Sequence, residues 1–246
     1  MKRSSFSILS ICEIIIVALC FVSCEYVDDD TSEGTSYFQL SDLKGTWTTV
    51  AVEKVPPSQM EDALFGYDFN VYWDEGYNYE SGSDVGIITI DKSVIKMYDV
   101  YDLMEVVSYN GTELKLKLPK YDGAVVTVKK LGTLNNNDYK TKLCHGFWIN
   151  ALDSSDGNMM SYEYNGDNAQ QMGNLYGKRF QIVQFMNDGT GECYRGSSGY
   201  HFSWQIEDKT LSMRLSNGKE KSTKLSFVGI EGTVYLRYDI TFNWYQ

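Results

Sequence analysis

Three prolines, two histidines and five cysteines occur in 246 residues, and the 22 Lys and Arg are outnumbered by 33 Asp and Glu. Each scarcity excludes something. Pro56, Pro57 and Pro119 all fall outside strand-like runs, so the runs themselves lack the residue that cannot donate to a ladder. His145 and His201 lie far apart in sequence, and neither has a second ligand at helix or loop spacing, so no metal site or cofactor is expected. A net charge of −11 argues against a nucleic-acid partner, because phosphate backbones are held by clustered cations. Nor does any apolar run reach the roughly 20 residues of a transmembrane helix. The unbroken run from Ile14 to Val22 is far shorter.

That run is nonetheless informative. Lys2 and Arg3 precede it and the small Ser23 follows, which is the layout of an export signal. With Cys24 next, the stretch resembles the lipobox of bacterial lipoproteins, where a peptidase cuts before a cysteine carrying a diacylglyceryl thioether. The resemblance implies that residues 1–23 are a signal peptide, that Cys24 is the lipid attachment residue, and that the mature chain is held to the outer membrane by this anchor. Residues 24–38, with Asp28, Asp29, Asp30 and Glu33 among small polar residues, read as an acidic flexible tether. Acidic residues just after the cysteine resemble the signals that send some lipoproteins to the cell surface. A plain solvated linker is the alternative.

The resemblance implies that Cys12 and Cys20 leave with the signal and that Cys24 takes the lipid, so only Cys144 and Cys193 would remain for the fold. In an exported protein they form either one disulfide or two buried free thiols.

From Tyr37 onward the pattern is β. Runs rich in β-branched and aromatic residues are expected as strands at Thr46–Val52, Val85–Ile90, Val94–Val100, Met104–Tyr109, Leu114–Leu118 and Val125–Val128. The second half repeats the recipe at Gly146–Leu152, Met160–Tyr164, Phe180–Met186, Gly191–Arg195, Phe202–Ile206, Leu211–Leu215, Thr223–Val228 and Val234–Ile240. Asn110-Gly111, Asp122-Gly123, Asp188-Gly189 and Asn217-Gly218 suit the positive φ of tight hairpins, so neighbouring runs should pair antiparallel. Ser58 with Glu61 makes a capping box for a short helix ending near Gly66, and a second helix is expected between Asp167 and Gly177.

A weak internal repeat divides the chain. Leu43-Lys44-Gly45-Thr46-Trp47 opens the first set of strands, and Cys144-His145-Gly146-Phe147-Trp148 opens the second, 101 residues later. A glycine, one residue and a tryptophan at the start of a first strand is similar to the opening of lipocalins and of shorter lipocalin-like domains. That resemblance implies closed antiparallel barrels, each sealed at one end by its tryptophan, often under an arginine from the last strand. Carried over, Trp47 and Trp148 are the barrel-closing residues and Arg237 is the partner of Trp148, while the first copy offers only Lys129 or Lys130. The expected architecture is all-β: two tandem small antiparallel lipocalin-like barrels, at residues 39–137 and 138–246. The alternative is one large β-sandwich or barrel.

The densest local composition is Phe65 to Tyr79, where seven aromatic residues alternate with Asp68, Asp74 and Glu75. Aromatic faces stack on sugar rings and carboxylates accept from hydroxyls, so Tyr67, Tyr72, Trp73 and Tyr77 are candidate ligand-binding residues. The competing reading is that they plug the first barrel. Catalytic chemistry gains little support. Cys144 and His145 are neighbours along an expected strand and so face opposite ways. Asn187 to Glu192 lacks the alternating acidic positions of a calcium loop, and Gly196-Ser197-Ser198-Gly199 lacks the spacing of a nucleophile elbow. The expectation is a non-catalytic lipoprotein of the cell envelope that binds a glycan or other small ligand. A structural protein contacting another envelope protein is the alternative, and a carboxylate-dependent hydrolase comes last.

Overall fold

The computed structural model describes residues 38–55, 64–151, 158–163, 168–230, 233–239, 242 and 244. The signal, Cys24, the tether and the Ser58–Glu61 capping box lie outside the described residues.

A short helix, α1 (Leu40–Leu43), leads into the first barrel. Its strands are β1 (Gly45–Glu53), β2 (Phe69–Trp73), β3 (Tyr77–Ser81), β4 (Asp84–Asp91), β5 (Val94–Met97), β6 (Tyr101–Tyr109), β7 (Glu113–Leu118) and β8 (Ala124–Lys130). Each pairs antiparallel with the next, and β8 returns to β1, which closes the sheet and removes both edges. In β7 the period of two is clear: Leu114, Leu116 and Leu118 point inward, while Lys115 and Lys117 pair outside with Glu53 and Glu105. Trp47, Phe69, Tyr79, Ile88, Ile95, Met104 and Leu116 fill the interior.

The second sheet follows α2 (Asn136–Cys144). It comprises β9 (Phe147–Ala151), β10 (Met159–Glu163), β11 (Phe180–Phe185), β12 (Thr190–Arg195), β13 (Ser198–Glu207), β14 (Thr210–Leu215), β15 (Glu220–Lys224), β16 (Ser226–Ile230) and β17 (Thr233–Arg237). The order is β15-β14-β13-β12-β11-β9-β10-β17-β16, antiparallel at every step. The two edge strands, β15 and β16, are halves of one run separated by Leu225. The first half pairs with β14 and the second with β17, so this run carries the chain across the gap and the sheet is a nearly closed barrel. It departs from a simple meander, because β10 lies between β9 and β17. Helix α3 (Ala169–Tyr176) packs outside, where Met172 meets Phe147, Ile149 and Ile182. Gly173 is small because a Cβ there would stand 2.7 Å from both Tyr194 and the Gly196 carbonyl.

All four expected turn glycines, Gly111, Gly123, Gly189 and Gly218, have positive φ. The expected strand to Val100 instead stops at Met97, because Tyr98 and Asp99 turn the chain with φ of 53° and 59°. Trp47 and Trp148 sit in separate cores, which fits two barrels and not one shared interior. Even so, Thr35–Gln246 is a single compact unit, and the expected boundary at 137/138 falls inside α2. Strand β1 shows why. Trp47 faces the first core, whereas Val50, the extra residue of a bulge between Thr49 and Ala51, packs into the core around Trp148.

Candidate functional site

The tip of the β2–β3 hairpin carries an exposed tryptophan. Phe69 and Val71 point into the barrel, and Trp73, next on that face, emerges at the end with 58% of its surface exposed. Tyr77 stands opposite it across the ladder, and the rings meet edge to face with centroids 4.9 Å apart. The three-residue tip is held in place: Asn78 Nδ2 donates to the carbonyls of Asp74 (2.9 Å) and Gly76 (3.1 Å), and the Asp74 amide donates to Gly76 O (2.9 Å). Glu75 accepts a left-handed φ of 52° to complete the turn. The result is an ordered aromatic pair flanked by the carboxylates of Asp74 and Glu75.

The other two expected ligand residues lie elsewhere. Tyr72 projects to the opposite side of β2 from Trp73, as strand alternation requires. Tyr67 packs against the first core, and its hydroxyl bonds that of Tyr79, which is almost wholly buried. Burial pushes the Tyr67 phenol well above its ordinary range and that of Tyr79 up to about 12, so this pair serves the interior and not a surface platform.

Both tryptophans are fully buried, and each indole donates back to the leucine carbonyl of the helix before its strand: Trp47 Nε1 to Leu43 O at 2.6 Å, Trp148 Nε1 to Leu143 O at 3.1 Å. Arg237 does not cover Trp148. It is exposed on β17 between the buried Leu236 and Tyr238, so its place in the alternation turns it outward. The rings beside Trp148 are Tyr162 and Phe227. In the first barrel a last-strand cation does reach the tryptophan: Lys130 Nζ lies 5.0 Å from the Trp47 ring centre.

Cys144 and Cys193 are not bridged. Cys193 points into the second core, where burial raises its thiol to about 12, and Cys144 closes α2. Cys144 and His145 are thus a helix end and its cap, not strand neighbours.

A buried charge pair joins the barrels, and sequence reasoning missed it. Lys142 of α2 is fully buried, with Nζ 3.1 and 3.2 Å from the two oxygens of Asp68 and 3.2 Å from the Phe65 carbonyl. Asp68 also accepts from the Thr49 amide at 3.2 Å. His145 stacks on Phe65 with centroids 3.4 Å apart, and burial, with Lys142 nearby, pushes its imidazole down to about 4. Both ions have partners on several sides, which suits a packing joint better than a reactive group.

The outer face of the second barrel has two adjoining hollows, of about 550 and 490 Å³, that share Ser203 and Arg214. Beside them His201 Nδ1 lies 3.3 Å from Glu192. Asp188, in the loop considered for calcium, accepts from the amide and hydroxyl of Thr190 and forms a turn. Among the described residues no three His, Cys, Asp or Glu side chains converge closely enough to hold a metal ion.

These features define an all-β chain of two barrels locked by a buried ion pair, with one ordered aromatic tip. Comparison with protein-family models, curated proteins and solved structures finds no match to this chain.

Proposed function

We propose that the protein is a non-catalytic lipoprotein, anchored through Cys24 to the outer membrane and displayed at the cell surface, whose first barrel binds a glycan through Trp73 and Tyr77. The observation that carries this reading is the turn-locked aromatic pair, in which Trp73 is exposed and the half-buried Tyr77 backs it. An exposed aromatic ring offers a face on which a sugar ring can stack, and a preformed tip loses little freedom on binding. Asp74 and Glu75 supply acceptors for sugar hydroxyls at the rim. The delivery half rests on Lys2, Arg3, the Ile14–Val22 run and Cys24. The barrels read as lipocalin-like because each starts its first strand with a buried, helix-tethered tryptophan, one of them under a last-strand lysine.

Affinity electrophoresis through dextran or xylan tests the binding. The wild-type chain should be retarded, Trp73→Ala should lose at least tenfold in affinity, and Tyr72→Ala, on the other face, should behave as wild type. A Trp73→Ala chain retarded as strongly as wild type would refute the reading. Mass spectrometry of the membrane fraction tests the anchor, which requires a diacylated Cys24 at the amino terminus.

A second reading has its own observation. Val85, Ile87, Tyr98, Val100, Tyr101 and Val107 are all exposed around β4, β5 and β6, which suits contact with another envelope protein. Cross-linking from Val100→Cys on intact cells distinguishes the two readings by recovering or failing to recover a protein adduct.

A further inference from the structure

The larger hollow on the second barrel is made by alternation. Along β13, β14 and β15 the outward side chains form two cross-strand rows, Ser203–Arg214–Glu220 and Gln205–Ser212–Ser222, while Trp204 and Met213 point into the core. Serine is not a residue that strands favour, so three serines on one exposed sheet face are not explained by propensity. Their short side chains form a floor, and Arg214, Gln205 and Glu220 stand around it. The floor offers hydroxyls and an amide, groups that both donate and accept, as the hydroxyls of a sugar do.

Charge adds the second half. The chain is strongly acidic overall, yet the outward charges around this floor are Arg214, Lys219 and Lys224 against Glu207 and Glu220. Lys221 is not on this face: it stands in the inward row with Trp204 and Met213, with its ammonium 5.7 Å from the Phe242 ring centre. Arg214 faces Glu220 across the ladder, but no ion pair within 4.0 Å involves Arg214 among the described residues. Its fork of N–H donors fits a carboxylate or sulfate group with two parallel bonds, and it borders both hollows.

We propose that this face of the second barrel binds an acidic oligosaccharide, with sugar hydroxyls over Ser203, Ser212, Ser222 and Gln205 and an anionic group on Arg214. The site is on the other barrel from Trp73, goes beyond the function proposed above and does not depend on it.

The test is isothermal titration of the mature chain with oligogalacturonate, dextran sulfate and neutral dextran. At least one acidic probe should bind, Arg214→Gln should weaken it at least tenfold, Arg214→Lys less so, and Trp73→Ala should leave it unchanged. Arg214 is exposed, so these variants should fold, which circular dichroism checks. Failure of both acidic probes to bind overturns the proposal, as does equal binding by Arg214→Gln. Arg214-dependent binding to phosphatidylglycerol vesicles without binding to either acidic probe also overturns it, in favour of a lipid headgroup.

Discussion

At the scale of single residues, the pair Lys142 and Asp68 decides how the barrels hold together. Lys142 is fully buried and Asp68 nearly so, and removing one leaves the other charged and uncompensated, at a cost of about 3–5 kcal/mol. Asp68→Ala should therefore lower stability by that amount in urea denaturation, whereas Asp68→Leu combined with Lys142→Met should recover most of it, because both charges are gone. Equal losses in the single and double variants would show that the pair is not coupled. His145 contributes a pH dependence whose sign follows from its position. Its folded pKa of about 4 lies below the unfolded 6.5, so the unfolded chain binds the proton more tightly. The stability is fully present above pH 6.5 and is lost as pH falls toward 4, by about 1–2 kcal/mol once partial exposure is allowed for. Burial raises the Asp68 carboxyl and so acts in the opposite sense over acidic pH. His145→Phe keeps a ring against Phe65 and isolates the imidazole: its urea midpoint should fall less than wild type between pH 7 and pH 4.5.

At the scale of elements, the recurring unit is a short helix followed by a strand whose tryptophan donates back to the carbonyl of the helix's last leucine. Trp47→Phe removes that bond, leaves the Leu43 carbonyl buried without its donor and opens a small void. About 2–3 kcal/mol of lost stability is expected, measured by thermal or urea unfolding. The repeat and both tryptophans were legible from sequence, as were the four glycine turns and the helix at Ala169–Tyr176, because periodicity and turn chemistry are local. Other elements were less so. Strands β2 and β3 were missed in the sequence because their mix of aromatics and carboxylates reads as a surface segment, although Phe69, Val71 and Trp73 alternate as a strand does. Helix α2 opens with Asn135, whose side chain accepts from the amides of Asn137 and Asp138 while Asp138 bonds back to Asn135. That is a capping box written without serine, threonine or glutamate, in a segment of low helix propensity. Of the four candidate aromatics, Trp73 and Tyr77 share the hairpin tip while Tyr67 and Tyr72 lie elsewhere, because composition cannot show which face of a strand a residue takes. Asp68 and Lys142 are 74 positions apart, and nothing local links them. The basic surplus around Arg214 was present in the sequence and was masked by the acidic total.

At the scale of the whole molecule, the barrels are two in topology and one in packing. Val50 leaves the first barrel to join the second core, Phe65 meets His145, and Gly229 of β16 lies so close to β1 that an added Cβ would stand 2.4 Å from the Thr46 methyl. A joint of this kind couples the unfolding of its halves as long as its contribution exceeds the difference in their separate stabilities. The intact chain should therefore unfold in one transition, with tryptophan fluorescence and far-ultraviolet circular dichroism coincident in urea. Gly229→Val forces either Thr46 or β16 to move, at a cost of about 1–3 kcal/mol for overpacking, and the strain falls on the joint and not on either core. In that variant the two signals should separate into distinct midpoints while the secondary structure at zero urea is retained. A single unshifted transition in Gly229→Val would mean that the contact between β16 and β1 carries no free energy, and that the barrels are held together by Lys142 with Asp68, Val50 and the Phe65–His145 stack.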